Sequence, residues 1–134
     1  MNITDRLSDS LGLPRGDSYT QDWAYELPDE FRTETWLGKY VDAYLNGGYS
    51  EREQAALMEL MLDVSDDLIA LNPDSKMAAR TLEILAANSG SYCELLDYWA
   101  LDEEPLENCF ALTPKIRTIK ARSAGSAADE TRHA

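Results

Sequence analysis

Acidic side chains dominate whatever chemistry this chain could perform. Twenty-five Asp and Glu residues stand against 12 Lys and Arg. In residues 50–72, SEREQAALMELMLDVSDDLIALN, the acids Glu59, Asp63, Asp66 and Asp67 recur at spacings of three and four. A helix would align them on one face. Carboxylates so arranged could hold a hard cation or do acid–base work. The companions such chemistry requires do not accompany them. The one histidine is His133, in the unpatterned stretch SAGSAADETRHA, so no rigidly placed base serves a Ser-His-Asp or Cys-His apparatus. The Glu-x-x-His pairs of di-metal bundles do not occur, and Asp63, Asp66 and Asp67 lack calcium-loop spacing. Cys93 and Cys109 have no further ligands beside them to complete a zinc site, and no glycine-rich phosphate loop is present. The expectation is a protein without catalytic residues, bound metal or cofactor. The acidic stripe is then either a solvated face or a surface for a partner.

Charge narrows the partner. Residues 1–112 carry 23 acids and 7 bases, whereas residues 113–134 carry 2 acids and 5 bases. Such a body repels nucleic-acid phosphates and anionic lipid and favours a basic protein. The N-terminus lacks the basic start and apolar run of a secretory signal, and nothing approaches the roughly 18 consecutive apolar residues of a membrane span. With two thiols read as reduced, a cytoplasmic location is expected.

The acids need elements to position them, and the 50–72 stretch is the strongest. Ser50 and Glu53 form a capping-box pattern, and no Gly or Pro interrupts the helical pattern as far as residue 72. On a helical wheel Leu57, Leu60, Met61, Val64, Leu68 and Leu71 share one arc, with Met58, Leu62 and Ile69 beside it. Two buried strips imply a central helix. Before it, a short helix is expected over 3–12, then an irregular acidic-aromatic segment over 17–31 containing Trp23 and Tyr25. Pro28 is read as opening a helix over 28–45, with Leu37, Tyr40, Val41, Tyr44 and Leu45 inward, and Arg32, Thr35, Lys39 and Asp42 solvated. Asn46-Gly47-Gly48 ends it. Asn72-Pro73 is read as capping a third helix over 73–88, and Ser89 or Ser91 as capping a fourth that reaches residue 101. Asp102, Glu103 and Glu104 then form an acidic loop. Residues 108–112 (NCFAL) read as a buried extended piece. Thr113-Pro114 opens a short helix with Ile116 and Ile119 inward, and Lys115, Arg117, Lys120 and Arg122 outward to neutralise the protein's own acids. The fold class expected is all-α: a compact bundle of four main helices with short terminal helices, one domain over 1–122 and a disordered tail over 123–134.

Residues 98–119, YWALDEEPLENCFALTPKIRTI, resemble the C-terminal segment of small acidic immunity proteins of bacterial toxin systems. The likeness lies in Tyr98-Trp99, the acidic loop, the apolar piece around Phe110, and Thr113-Pro114 leading to Ile116-Arg117. It implies a stoichiometric inhibitor of a cognate basic toxin, often a nuclease. The candidate partner-binding residues are Glu59, Asp63, Asp66, Asp67, Asp102, Glu103, Glu104, Trp23 and Tyr25. The alternatives are an acidic adaptor, a nucleic-acid mimic, or an enzyme working through carboxylates and a metal.

Overall fold

The computed structural model describes residues 3–16 and 22–133, with side chains described as far as Ser123. The protein is all-α, with no strand among the described residues. Seven α-helices succeed one another among those residues: α1 (Ile3–Leu11), α2 (Trp23–Glu26), α3 (Glu34–Asn46), α4 (Glu51–Leu71), α5 (Lys76–Ala87), α6 (Cys93–Ala100) and α7 (Thr113–His133). Short 3-10 turns lie at Asp29–Phe31, Ser89–Ser91 and Leu106–Asn108. Helices α3 to α6 correspond to the four main helices read from the sequence. The tail expected over 123–134 lies, apart from Ser123, outside the residues whose side chains are described. The chain divides into two compact units, residues 1–81 and 82–134.

The first unit is built on α4, against which α1, α2 and α3 all pack. Its capping box is present: Ser50 Oγ accepts from the Glu53 amide, and a Glu53 carboxylate oxygen accepts from the Ser50 amide. Leu57, Met58, Leu60, Met61, Leu62 and Val64 are wholly buried, so the two apolar strips both face neighbours. Leu71 does not obey the wheel and is 87% exposed. It is the last residue of α4, where the chain turns away at Asn72, and helical phase there no longer dictates burial.

Helix α3 begins six residues later than Pro28 implies from the sequence, and Leu45, expected inward, is 48% exposed in its last turn, next to the Gly47-Gly48 stop. Thr33 is the cap, its Oγ1 accepting from the Trp36 amide, and Pro28 precedes only the 3-10 turn. The wholly buried Tyr40 donates its hydroxyl to the Phe31 carbonyl at 2.7 Å, holding that carbonyl outside the helix ladder. Burial raises the Tyr40 pKa, against the pull of nearby Arg32, so the group stays a neutral donor. Phe31 meets Trp36 edge to face, Trp36 lies tilted against Tyr40, and Lys39 lies over the Trp36 ring at 4.0 Å. At the other end of α3 a Cβ on Gly47 would come within 2.4 Å of the Ala43 carbonyl and the Tyr49 ring. Only glycine fits there, and Gly48 comes next at φ +66.

Asn72 does not cap α5. Its side chain accepts instead from the Asp74 amide two residues on, a local turn that delays the helix. Ser75 takes the cap position, accepting from the Ala78 amide. Glu34, at the start of α3, reinforces it across the unit: one oxygen accepts from the Ser75 hydroxyl at 2.6 Å and the other from the Met77 amide at 2.7 Å. A carboxylate at a helix N-terminus also suits its dipole.

In the second unit α6 packs on α7. Neither Ser89 nor Ser91 caps α6; both belong to the 3-10 turn, and Tyr92 stands at the cap position without a side-chain capping bond. Residues 108–112 are not an extended piece, because Asn108 closes a 3-10 turn. Leu112 is nonetheless wholly buried. Thr113, also wholly buried, accepts from the Phe110 amide and donates to the Trp99 carbonyl at 2.8 Å, tying α6 to the start of α7. Ile116 is wholly buried and Ile119 half-buried, as their spacing implies.

Candidate functional site

The sequence-predicted partner residues fall in both units. Glu59, Asp63, Asp66, Asp67, Trp23 and Tyr25 belong to the first, and Asp102, Glu103 and Glu104 to the second. In the first unit the deciding residue is Arg32. The helical phase from Pro28 makes it solvated; the structure buries it to 8% exposure. With α3 starting after Thr33, Arg32 lies outside that helix, and its side chain turns towards α4. Its guanidinium donates to the Asp67 carboxylate at 2.7 Å, the Ala24 carbonyl at 2.5 Å, the Asp63 carbonyl at 3.3 Å and the Asp63 carboxylate. One cation thus ties α2 and the 3-10 turn to two carboxylates one helical turn apart on α4.

That arrangement changes the meaning of the acidic stripe. Burial pushes Asp63 above the ordinary aspartate range, a rise restrained by Arg32 and reinforced by Asp22 and Asp67. Burial works against the Arg32 charge, but its bonds to Asp63 and Asp67 more than offset it. Glu59 is exposed, yet desolvation of its carboxyl group and nearby Asp22 raise its pKa. Asp66 is half-buried and has a partner of its own. Asp22 and Glu26 close the N-terminal end of α2 between them: Asp22 accepts from the Tyr25 amide, and Glu26 accepts from the Asp22 amide at 2.6 Å. Trp23 is half-buried, and Tyr25 projects outward at 71% exposure. The stripe is therefore largely an internal electrostatic joint, with Glu59 and Tyr25 at its open edge.

A shallow polar groove in the same unit is lined by Arg6, Asp9, Ser10, Tyr49 and Glu53. Its groups are mutually matched: Arg6 pairs with Glu53, Arg15 with Asp9, and Ser10 with the Tyr49 hydroxyl at 2.6 Å.

The second unit presents its acids differently. Residues 82–112 contain seven acids and no Lys or Arg, a block preceded in sequence by Arg80 and followed by the cations of α7. Two of the α7 cations have structural duties. Arg117 donates to the carbonyls of Ala100 at 2.7 Å, Glu104 at 2.9 Å and Leu101, closing the C-terminal end of α6 where Leu101 takes a left-handed φ of +42. Lys120 pairs with Asp97 at 3.0 Å and with Asp102. Its pKa is raised, first by the hydrogen bonds to Asp102 and Asp97. The sequence-based view that α7 neutralises the protein's own acids describes Lys120; Arg117 acts on backbone instead. Glu94, Glu103, Glu104 and Glu107 remain exposed, with no ion pair among the described residues.

Beside these acids stands an aromatic cluster whose exposure the sequence reading missed. Tyr98 is 58% exposed and stacks on Phe110 with ring centroids 5.8 Å apart. Trp99, buried beneath, meets Phe110 at 4.6 Å and the edge of Tyr98 at 5.5 Å. The signal was the helical phase of α6, which directs Leu96 and Trp99 inward and leaves position 98 outside.

Among the described residues no three His, Cys, Asp or Glu side chains converge as metal ligands do. Nor is any described helix long and apolar enough to cross a membrane. No protein-family model, curated protein or solved structure matches this chain.

Proposed function

We propose that this protein is a non-catalytic interaction module that binds a basic protein partner through its acidic surface. On the likeness of residues 98–119, the partner is a bacterial toxin that this chain neutralises as an immunity-type inhibitor in the cytoplasm. One observation carries the reading: residues 82–112 hold seven acids and no base, and four of the acids are exposed without an ion pair among the described residues. Like charges left uncompensated on one unit cost stability through self-repulsion, and a cationic partner relieves them on binding. They also steer that partner during encounter. The free thiols Cys93 and Cys109 suit a reducing compartment.

The test is capture of partners from the source cell at low ionic strength, followed by association kinetics with the captured protein. A basic protein whose association slows about tenfold between low and physiological salt supports the reading. An acidic or neutral partner, or association indifferent to salt, overturns it.

A further inference from the structure

We infer that the cationic partner docks on the α6–connector face of the second unit, laying an arginine side chain across the Tyr98 ring. The inference rests on the proposed basic partner and adds to it a place and a chemistry of recognition.

The platform is already built. Tyr98 stands 58% exposed, its ring supported from behind by Phe110 and from the edge by the buried Trp99. Phe110 is held in turn through its amide, which donates to Thr113, and Thr113 is anchored to the Trp99 carbonyl. A ring fixed in this way loses little freedom on binding, which is what makes tyrosine an effective interface anchor. Leu106, on the 3-10 turn of the connector leading to Phe110, is 55% exposed and adds apolar surface within the same segment.

Charge selects the occupant. Glu94 lies one helical turn before Tyr98 on α6, and Glu103, Glu104 and Glu107 lie on the connector. A cation can sit on the ring face and reach carboxylates at once, and arginine does so better than lysine because its planar guanidinium stacks and forks. Two cations of the same unit are engaged away from the ring. Arg117 is bound to the carbonyls of residues 100, 101 and 104, and Lys120 to Asp97 and Asp102. Phosphate-bearing partners are disfavoured by the same carboxylates. The first unit offers a poorer match. Its exposed Tyr25 is flanked by Asp22 and Glu26, which already cap α2, and the stripe behind it is joined to Arg32.

The full-length protein should be titrated at low salt with a short peptide alternating arginine and leucine, and with versions carrying lysine or citrulline for arginine. Binding is monitored by amide chemical shifts. The expected result is arginine above lysine above citrulline in affinity, with shifts concentrated in residues 94–110. Tyr98→Ala should weaken the arginine peptide about fivefold, Tyr98→Phe should restore most of the loss, and Glu59→Gln should change nothing. Shifts centred on α2 and α4, or equal affinity for the arginine and lysine peptides, would overturn the docking face while leaving a basic partner in place. Failure of every cationic peptide to bind, alongside capture of a non-basic partner, would remove both.

Discussion

Two acidic regions of this molecule look alike in sequence and differ in what they have left to offer. On α4, Asp63 and Asp67 are one turn apart and face outward on a helical wheel, yet both are held by a guanidinium from more than 30 residues away. On the connector after α6, Glu103, Glu104 and Glu107 have no ion pair among the described residues, and the cations nearest them are committed to Asp97, Asp102 and backbone carbonyls. The spacing of acids along a helix thus says where they lie, but their availability depends on whether a distant cation folds onto them. The first region is a joint. The second is a surface.

If that distinction is right, removing charge should damage the first region's stability and the second region's binding. The largest effect is expected for Arg32→Ala. It leaves the Asp63 carboxylate, with its side chain only 17% exposed, and the Ala24 carbonyl without their donor. A loss of about 3 kcal/mol in folding free energy is expected from urea unfolding. A loss below about 1 kcal/mol would make the α4 acids an ordinary surface pair after all. Next in size is Arg117→Ala, which strips three carbonyls of a charged donor and should cost about 2 kcal/mol by the same measurement. Because those acceptors are backbone groups, converting Glu103, Glu104 and Glu107 to Gln should not lower stability, and relief of repulsion should raise it by no more than about 0.5 kcal/mol.

The pH dependence separates glutamates within α4. The Glu53 pKa is lowered, first by accepting from the Ser50 amide, so its stabilising contribution is present above the ordinary glutamate pKa and fades as pH falls through the lowered value. Glu59 has the opposite sign: its raised pKa means that the folded state holds the proton more readily. Its favourable contribution belongs to acid pH and is lost as pH rises through the raised value. Glu53→Gln, which keeps the capping geometry but removes the charge, should therefore lower the melting temperature at neutral pH, with the difference fading as pH falls. Glu59→Gln should raise it slightly at neutral pH, with the difference vanishing below the ordinary glutamate range. The smallest effect concerns cations. Millimolar magnesium, manganese or calcium should leave the melt unchanged, and a clear rise would restore a metal-binding role to the carboxylates.

Local signals were legible in the sequence. The capping box of α4, its two buried strips, the glycine stop after α3 and the inward Ile116 all derive from spacing within one or two turns. Interactions between distant residues were not. Arg32 reads as solvated when helical phase is counted from Pro28, because nothing near it reveals that Thr33 takes the cap or that Asp63 lies opposite. Asn72-Pro73 is a sound local start signal, but Ser75 prevails with help from Glu34, some 40 residues earlier. At the site, the acids at 102–104 were plain from composition. The platform beside them needed the chain after α6 to return Phe110 beneath Tyr98, a contact no periodicity encodes.

The central claim is that the connector acids, rather than the α4 stripe, guide a basic partner. It is tested most directly by the association rate constant of the captured partner as a function of ionic strength. The protein is compared with its combined Glu103→Gln, Glu104→Gln, Glu107→Gln variant and with Glu59→Gln. The account predicts steep salt dependence for the parent and for Glu59→Gln, and slower, flatter association for the combined variant. Identical salt dependence in all three would contradict it.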